Sequence, residues 1–402
     1  MMTSASPAGP LRRHAAKIAL IALLSIPAII GGMHAASDRR GENRVLASLP
    51  DRPTDWPSAL ALPPKLDAWI NDNFGFRERL LQTHNRLRYR LFHEFPSIQV
   101  ESGRHGRIFL SAHGTNVPPF SAVKAACAGG ETLPGTQAYI GRLLHDFHAM
   151  GLQPQLMVVP SAPVVMYEDL PAWLTPVCAS AATPMAGWLA TGALGAEAQQ
   201  AIFYPLQEMR EIKQREVLFP KHWFHWSGAG LADVARLTLP RFGRPLEPAA
   251  PPLAVVARED IPSDIQNLFV GIEKKGMVQE VDFAASGVES CYGGRCFPEF
   301  KEYAETLYDI SRFHNPKAPK RRLVMLTDSF GSKISGWYSR YYSDVEQVAT
   351  NRIGQLSTDQ IRRLKEYLFR DRENMDLLIL YHDVGTTTGT LQVGLERFHE
   401  KP

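Results

Sequence analysis

Residues 322–327, Arg-Leu-Val-Met-Leu-Thr, form an apolar run that stops at Asp328-Ser329-Phe330-Gly331. A short apolar run bounded by turn residues reads as a strand buried on both faces. The same signal recurs along the chain. Residues 107–110, 155–160, 202–206, 346–350 and 376–381 read as strands. Residues 66–93, with a break at Gly75, and 136–150, 184–200, 227–235, 331–342 and 358–371 carry helical spacing. Strands alternating with helices predict an α/β fold, a parallel sheet with helices on both faces in the flavodoxin-like manner. Residues 241–300 break the alternation. They are rich in Pro and Gly and read as an irregular insertion.

In such a sheet, reactive groups collect beyond the carboxyl ends of the strands. Ser329 stands at such an end, and Gly331 permits a close turn into the next helix, whose first N–H groups would face a developing oxyanion. A serine alone is a weak nucleophile and needs a base. His225, in Trp223-Phe224-His225-Trp226 ahead of Ser227 as a helix cap, is the candidate base. His222, three residues earlier, is a second candidate. His382, after the last strand, and Asp383 beside it reach the same edge of the sheet, as does Asp328. His145 and His148 read as a solvated helix face. No paired metal ligands and no glycine-rich phosphate loop occur at useful spacing, so neither a metal nor a cofactor is expected.

Arg12, Arg13 and Lys17 precede Ile18–Ser37, a stretch free of Asp, Glu, Lys and Arg. As a helix it would rise about 30 Å, enough to span a bilayer. Basic residues on its amino side place that end in the cytoplasm and the rest of the chain outside, in the periplasm of a bacterium. With no Ala-x-Ala site closing the run, an uncleaved signal anchor in the inner membrane is expected over a cleaved leader. The expected organisation is a cytoplasmic tip and anchor at 1–37, a Pro-rich linker at 38–65, and one catalytic domain at 66–402.

Cysteine usage agrees with export. Cys291 and Cys296 bracket Tyr-Gly-Gly-Arg, a turn able to close a small disulfide loop, leaving Cys127 and Cys178 as the second pair. The longer closure would contribute roughly 4 kcal/mol in the loop-entropy account. Among 402 residues, a net charge of +3 implies no general polyanion-binding surface, so nucleic acid is not an expected partner.

Several short motifs share an order with one known family. They are Glu42-Asn43-Arg44, Leu49-Pro50, Trp69 with Asn73-Phe74-Gly75-Phe76-Arg77, and Gly106-Arg107-Ile108-Phe109-Leu110. Val158-Val159-Pro160-Ser161 follows, then Tyr167, Leu170-Pro171, His225-Trp226 and Asp328-Ser329-Phe330. In this order the chain resembles the alginate O-acetyltransferase family of AlgJ/AlgX type over nearly its whole length. The resemblance implies an SGNH-hydrolase-like fold outside the cytoplasm. It also implies acetylation of a secreted exopolysaccharide, alginate-like or other, with a membrane-bound O-acyltransferase protein delivering the acetyl group.

The family's catalytic set is a Ser, a His and an Asp two residues before the His. Ser329 and His225 match, but Trp223 stands at the Asp position. Three readings stay open: a Ser–His dyad oriented by a backbone carbonyl; a carboxylate from elsewhere, Asp383 first, with Asp328 a weaker substitute; or lost catalysis, leaving a glycan-binding or scaffold subunit. An acetyl-ester hydrolase shares the same acyl-enzyme step and is the remaining alternative.

Overall fold

The structure, a computed structural model, describes residues 47–73, 77–129, 132–192, 194–247 and 250–399, with parts of 14–26. The expected anchor at 18–37 lies largely outside the described residues. Among those described, no helix is long and apolar enough to cross a membrane.

The chain divides into two compact units. The smaller, up to Pro96 plus Gln266–Glu273, is built on helices α1 (Trp56–Asn73) and α2 (Arg77–Phe92). Residues 56–65 were expected to be linker and instead open α1. Asp55 caps them, its Oδ1 accepting from the Ser58 N–H at 2.8 Å. Pro57 sits in the first turn, where a missing N–H costs nothing.

The larger unit, Ser97–Ile265 and Lys274–Pro402, carries the sheet. Its strands are β1 (Val100–Ser102), β2 (Ile108–Leu110), β3 (Pro154–Val159), β4 (Ile202–Phe203), β5 (Val255–Pro262), β6 (Lys275–Val281), β7 (Glu289–Tyr292), β8 (Ile310–His314), β9 (Arg322–Thr327), β10 (Asp344–Ala349) and β11 (Met375–His382). Seven of them form one sheet in the order β4-β3-β11-β9-β10-β8-β7. The first five run parallel. β8 and β7 extend the far edge antiparallel, which makes the sheet mixed rather than wholly parallel.

The period of two divides the core into two layers. Met157, Val159, Leu323, Met325, Leu378 and Leu380 pack with helices α4 (Gly230–Thr238) and α5 (Gly331–Ile334). The alternate residues Leu156, Val158, Val324, Leu326, Leu377 and Ile379 pack with helices α3 (Thr136–Ala149), α6 (Thr358–Leu368) and α8 (Thr390–His399). Helix α7 (Asp383–Thr387) follows β11 directly. Helix α6 starts where a capping box closes: the Ser357 hydroxyl accepts from the Gln360 N–H, and the Gln360 side chain accepts from the Ser357 N–H.

Several expected elements change. The helix expected over 184–200 is two, Pro184–Thr191 and Ala196–Ala201, interrupted where Gly192 and Gly195 take positive φ. The helix expected over 331–342 is α5 followed by a 3-10 run, Ser335–Arg340. Helix α4 starts at Gly230 with Ala229 as its cap, so Ser227 does not cap it. Described residues of the insertion at 241–300 form regular structure. Strands β5 and β6 pair as an antiparallel hairpin, and β7 joins the main sheet. Disulfides join Cys127 to Cys178 and Cys291 to Cys296.

Candidate active site

Ser329 occupies the turn between β9 and α5. The Asp328 N–H donates to the Leu380 carbonyl at 3.1 Å, continuing the β9–β11 ladder one residue past the strand. The Gly331 N–H then closes the turn onto the Asp328 carbonyl at 3.1 Å. This turn needs glycine: a Cβ at Gly331 would stand 2.2 Å from the Thr327 side chain. The turn leaves Ser329 partly exposed between buried Asp328 and Phe330. Among the described residues its backbone N–H has no hydrogen-bond partner, which leaves it open to an oxyanion.

His225 reaches this serine from the segment ahead of α4. Two bonds fix that segment. The buried Trp226 indole donates to the Phe330 carbonyl at 2.8 Å, and the Ser227 N–H donates to the Leu218 carbonyl at 2.8 Å. His225 Nε2 then lies 2.8 Å from Ser329 Oγ.

The other ring nitrogen, Nδ1, lies 2.7 Å from Oδ2 of Asp264. Asp264 follows β5, in the segment read as irregular insertion, and its role was not anticipated. It also accepts the Phe224 N–H at 2.8 Å and the His225 N–H at 2.9 Å, so the carboxylate holds both the ring and the backbone that carries it. Burial pushes its carboxyl up. The His225 bond, the His225 charge and the two backbone N–H groups outweigh burial and leave it below its ordinary range. An ionised acid on Nδ1–H leaves Nε2 free to accept a proton from Ser329, the arrangement of a serine triad.

The other anticipated residues take different places. Asp328 faces away from His225. Its Oδ2 accepts the His382 backbone N–H at 2.8 Å and the His382 Nδ1–H at 2.6 Å, while Oδ1 accepts the Phe330 N–H at 2.9 Å. The Gly385 N–H donates to His382 Nε2 at 3.2 Å, which consumes the remaining ring nitrogen. Asp328 and His382 are thus a second, buried acid–imidazole pair. Phe330 separates the two pairs, its ring centre 5.1 Å from that of His225 and 5.0 Å from that of His382, on which it stacks.

Asp383 does not orient His225. It is buried, accepts the Ser161 N–H at 3.1 Å, and ties the end of β11 to the turn after β3. His222 Nδ1 bonds the Lys275 carbonyl at 2.7 Å, holding β6 rather than serving Ser329. Trp223 is buried, with the Lys333 ammonium 5.3 Å from its ring centre. The position two residues before the histidine thus holds an indole, while the carboxylate on His225 comes from Asp264.

A cavity of about 530 Å³ opens at the opposite, amino-terminal end of the strands, lined by Arg312, Arg321, Arg322, Asp344, Glu346 and Arg370 among others. Its arginines are already engaged. Arg322 and Arg370 bond Glu346, which is fully buried, and Arg321 bonds Asp376. This is a structural ion-pair cluster and not part of the serine site. Among the described residues, no group of three or more His, Cys, Asp or Glu is placed to hold a metal.

No protein-family profile and no curated protein matches the sequence. Solved structures align over most of the chain at low identity. A DHHW family protein from Eubacterium siraeum is 12% identical over 67% of this chain and 91% of its own, with a TM-score of 0.49. Bacillus cereus PatB1 is 12% identical over 72% and 97%, with a TM-score of 0.45. The O-acetyltransferase domain of Pseudomonas putida AlgJ is 14% identical over 73% and 93%, with a TM-score of 0.40. These likenesses are too distant to carry the chemistry, which rests on the side chains described above.

Proposed function

We propose that this chain is a serine O-acetyltransferase of SGNH-hydrolase-like type that acetylates hydroxyls of a secreted exopolysaccharide. The observation that carries the proposal is the unbroken line from Ser329 Oγ through His225 to Asp264, with contacts of 2.8 and 2.7 Å. In the first half-reaction Ser329 Oγ attacks the acetyl carbonyl of a donor ester as His225 Nε2 takes its proton. The tetrahedral oxyanion meets the Ser329 N–H. His225 returns the proton to the departing alkoxide, leaving acetyl-Ser329. In the second, His225 removes the proton from a sugar hydroxyl, which attacks the acetyl-serine. The product ester leaves and Ser329 recovers its hydrogen. Asp264 holds the tautomer and stabilises the imidazolium throughout. The chemistry needs no cofactor.

Two disulfides support an oxidising compartment, the periplasm in a bacterium. The charge-free run at 18–37 supports attachment to the inner membrane. A membrane-bound O-acyltransferase is the proposed acetyl donor.

Intact-mass analysis of the full chain after exposure to an activated acetyl ester tests this reading. An adduct of one acetyl group is expected, absent in Ser329→Ala and accumulating slowly in His225→Ala and Asp264→Asn. Folded protein that takes no adduct from several donors would overturn it. Adding polysaccharide then separates transferase from hydrolase: acetyl appears on the polymer in the first case and only as acetate in the second.

A further inference from the structure

Helix α2 reads Arg-Glu-Arg-Leu-Leu-Gln-Thr-His-Asn-Arg-Leu-Arg-Tyr-Arg-Leu-Phe, with five arginines and one glutamate. One side of it is fixed within its own unit. Asn85 is buried and donates to the Val270 carbonyl at 2.9 Å, and Tyr89 packs on Phe95 with ring centres 5.0 Å apart. The other side faces solvent and carries an apolar row, with exposed Thr83 and His84 set between its first two members: Leu80, Leu87 and Leu91 are 57%, 56% and 61% exposed, and Phe92 continues the row at 65%. Their spacing of i, i+7 and i+11 puts the three leucines in one row along the helix. Arg79, Arg86 and Arg90 repeat that spacing one residue earlier and form a parallel basic row. Among the described residues, Arg79 and Arg90 make no side-chain hydrogen bond or ion pair. Helix α1 exposes an apolar row of its own, Trp56, Leu60 and Ile70.

We propose that α2 lies flat on an anionic phospholipid surface, with Leu80, Leu87 and Leu91 at the acyl boundary and the arginine row at the phosphate level. An outward leucine row flanked by guanidinium groups is the pattern of an interfacial helix. The long arginine stems let the charges reach the headgroups while the leucines bury. Charge complementarity selects this occupant. Arg86 donates to the Gly271 carbonyl at 3.2 Å, which leaves its charge unneutralised. A second copy of the same face would bring two like-charged arginine rows together, and a neutral partner would leave them uncompensated. Docking would hold the enzyme's smaller unit on the membrane independently of any anchor that precedes it.

The test places an environment-sensitive NBD dye on a single cysteine of the full chain, the native cysteines being paired. Leu87→Cys reports the proposed buried row and Glu78→Cys the opposite side. With phosphatidylglycerol-containing vesicles, the dye at 87 shifts to the blue and is quenched by nitroxide lipids, while the dye at 78 stays aqueous. Because each dye reports its own depth, insertion of another segment does not imitate the result. Arg79→Gln/Arg90→Gln lowers the docked-to-undocked ratio about thirtyfold, at roughly 1 kcal/mol per arginine, and neutral phosphatidylcholine vesicles give a similarly weak signal. The proposal is overturned if position 87 remains aqueous on anionic vesicles. It is overturned equally if position 87 becomes shielded without lipid as protein concentration rises, which would identify a second copy as the occupant.

Discussion

Asp264 holds Nδ1 of His225 at 2.7 Å from a hairpin that lies between the histidine and the serine in sequence. Asp264→Asn keeps the size of the side chain while allowing the amide to favour the wrong imidazole tautomer. Ester turnover is expected to fall on the order of 10³- to 10⁴-fold with little change in KM. Steady-state kinetics beside a thermal melt check this. A loss below tenfold in folded protein would remove Asp264 from the relay.

Gly331→Ala tests the turn. The new Cβ would meet the Thr327 side chain at 2.2 Å, and because the conflict involves the Thr327 Cβ itself, rotation cannot relieve it. Overpacking of this kind costs about 1–3 kcal/mol. A lowered melting temperature is expected together with loss of acetyl-serine formation, since the displaced segment carries Ser329. Unchanged adduct formation would show that the turn has slack.

His382→Ala separates the second acid–imidazole pair from catalysis. It leaves Asp328 buried without its partner, and breaking a buried pair costs about 3–5 kcal/mol. Stability should fall by that order, read from denaturant unfolding. The pH profile of the remaining turnover should keep the wild-type shape, because His382 does not touch Ser329. A moved acid limb would instead make His382 part of the reaction.

Asp376 governs part of the acid stability. Burial pushes its carboxyl up, but hydrogen bonds from Arg321, Arg244 and Tyr342 outweigh burial and hold it below the ordinary range. Its folded value therefore lies under the unfolded value of about 3.9. The stabilisation is complete above the unfolded value and disappears as pH falls through the folded one. Asp376→Asn should cost about 2–3 kcal/mol at pH 7, less than for a fully buried pair because both arginines keep some solvent. It should also flatten the fall in melting temperature as pH drops below the unfolded carboxylate value of about 3.9. A slope equal to wild type would assign the acid transition to other carboxylates.

Ser329 and His225 were legible because each has a local signature: an apolar strand broken at Asp-Ser, and a histidine set between aromatics ahead of a helix. Asp264 has none. Its partner is distant in sequence, and its context of Pro, Ser and Asp resembles any loop. The available signal was the pairing of 255–262 with 275–281, two segments of strand character that bring their connecting loop back toward the histidine. Asp383 drew attention because it follows the last strand, yet the parallel register of β11 on β3 directs it to Ser161. The strands β3, β9 and β11 were readable as apolar runs, whereas β10, Asp-Val-Glu-Gln-Val-Ala, is half polar and was placed by the alternation of elements around it. β8, Ile-Ser-Arg-Phe-His, was not, because three of its five residues are polar and its two apolar ones stand three apart, off the period of a strand. The start of α1 was hidden by its prolines: Pro57 sits in the first turn, where proline is permissive, but Pro63 and Pro64 lie inside the helix, where proline ordinarily argues against one.

Phe330 has a further consequence through its position between two histidines. It stacks on one that is locked by hydrogen bonds on both ring nitrogens, and it lies beside another whose Nε2 faces the nucleophile. An imidazole-acylating reagent such as diethyl pyrocarbonate should therefore discriminate between neighbours only a ring apart, consuming the partly exposed His225 (17%) and sparing its buried counterpart. Inactivation would then follow a single modification. The rate of that modification would count correctly docked hairpins, so one reagent could assay folding and chemistry in the same tube.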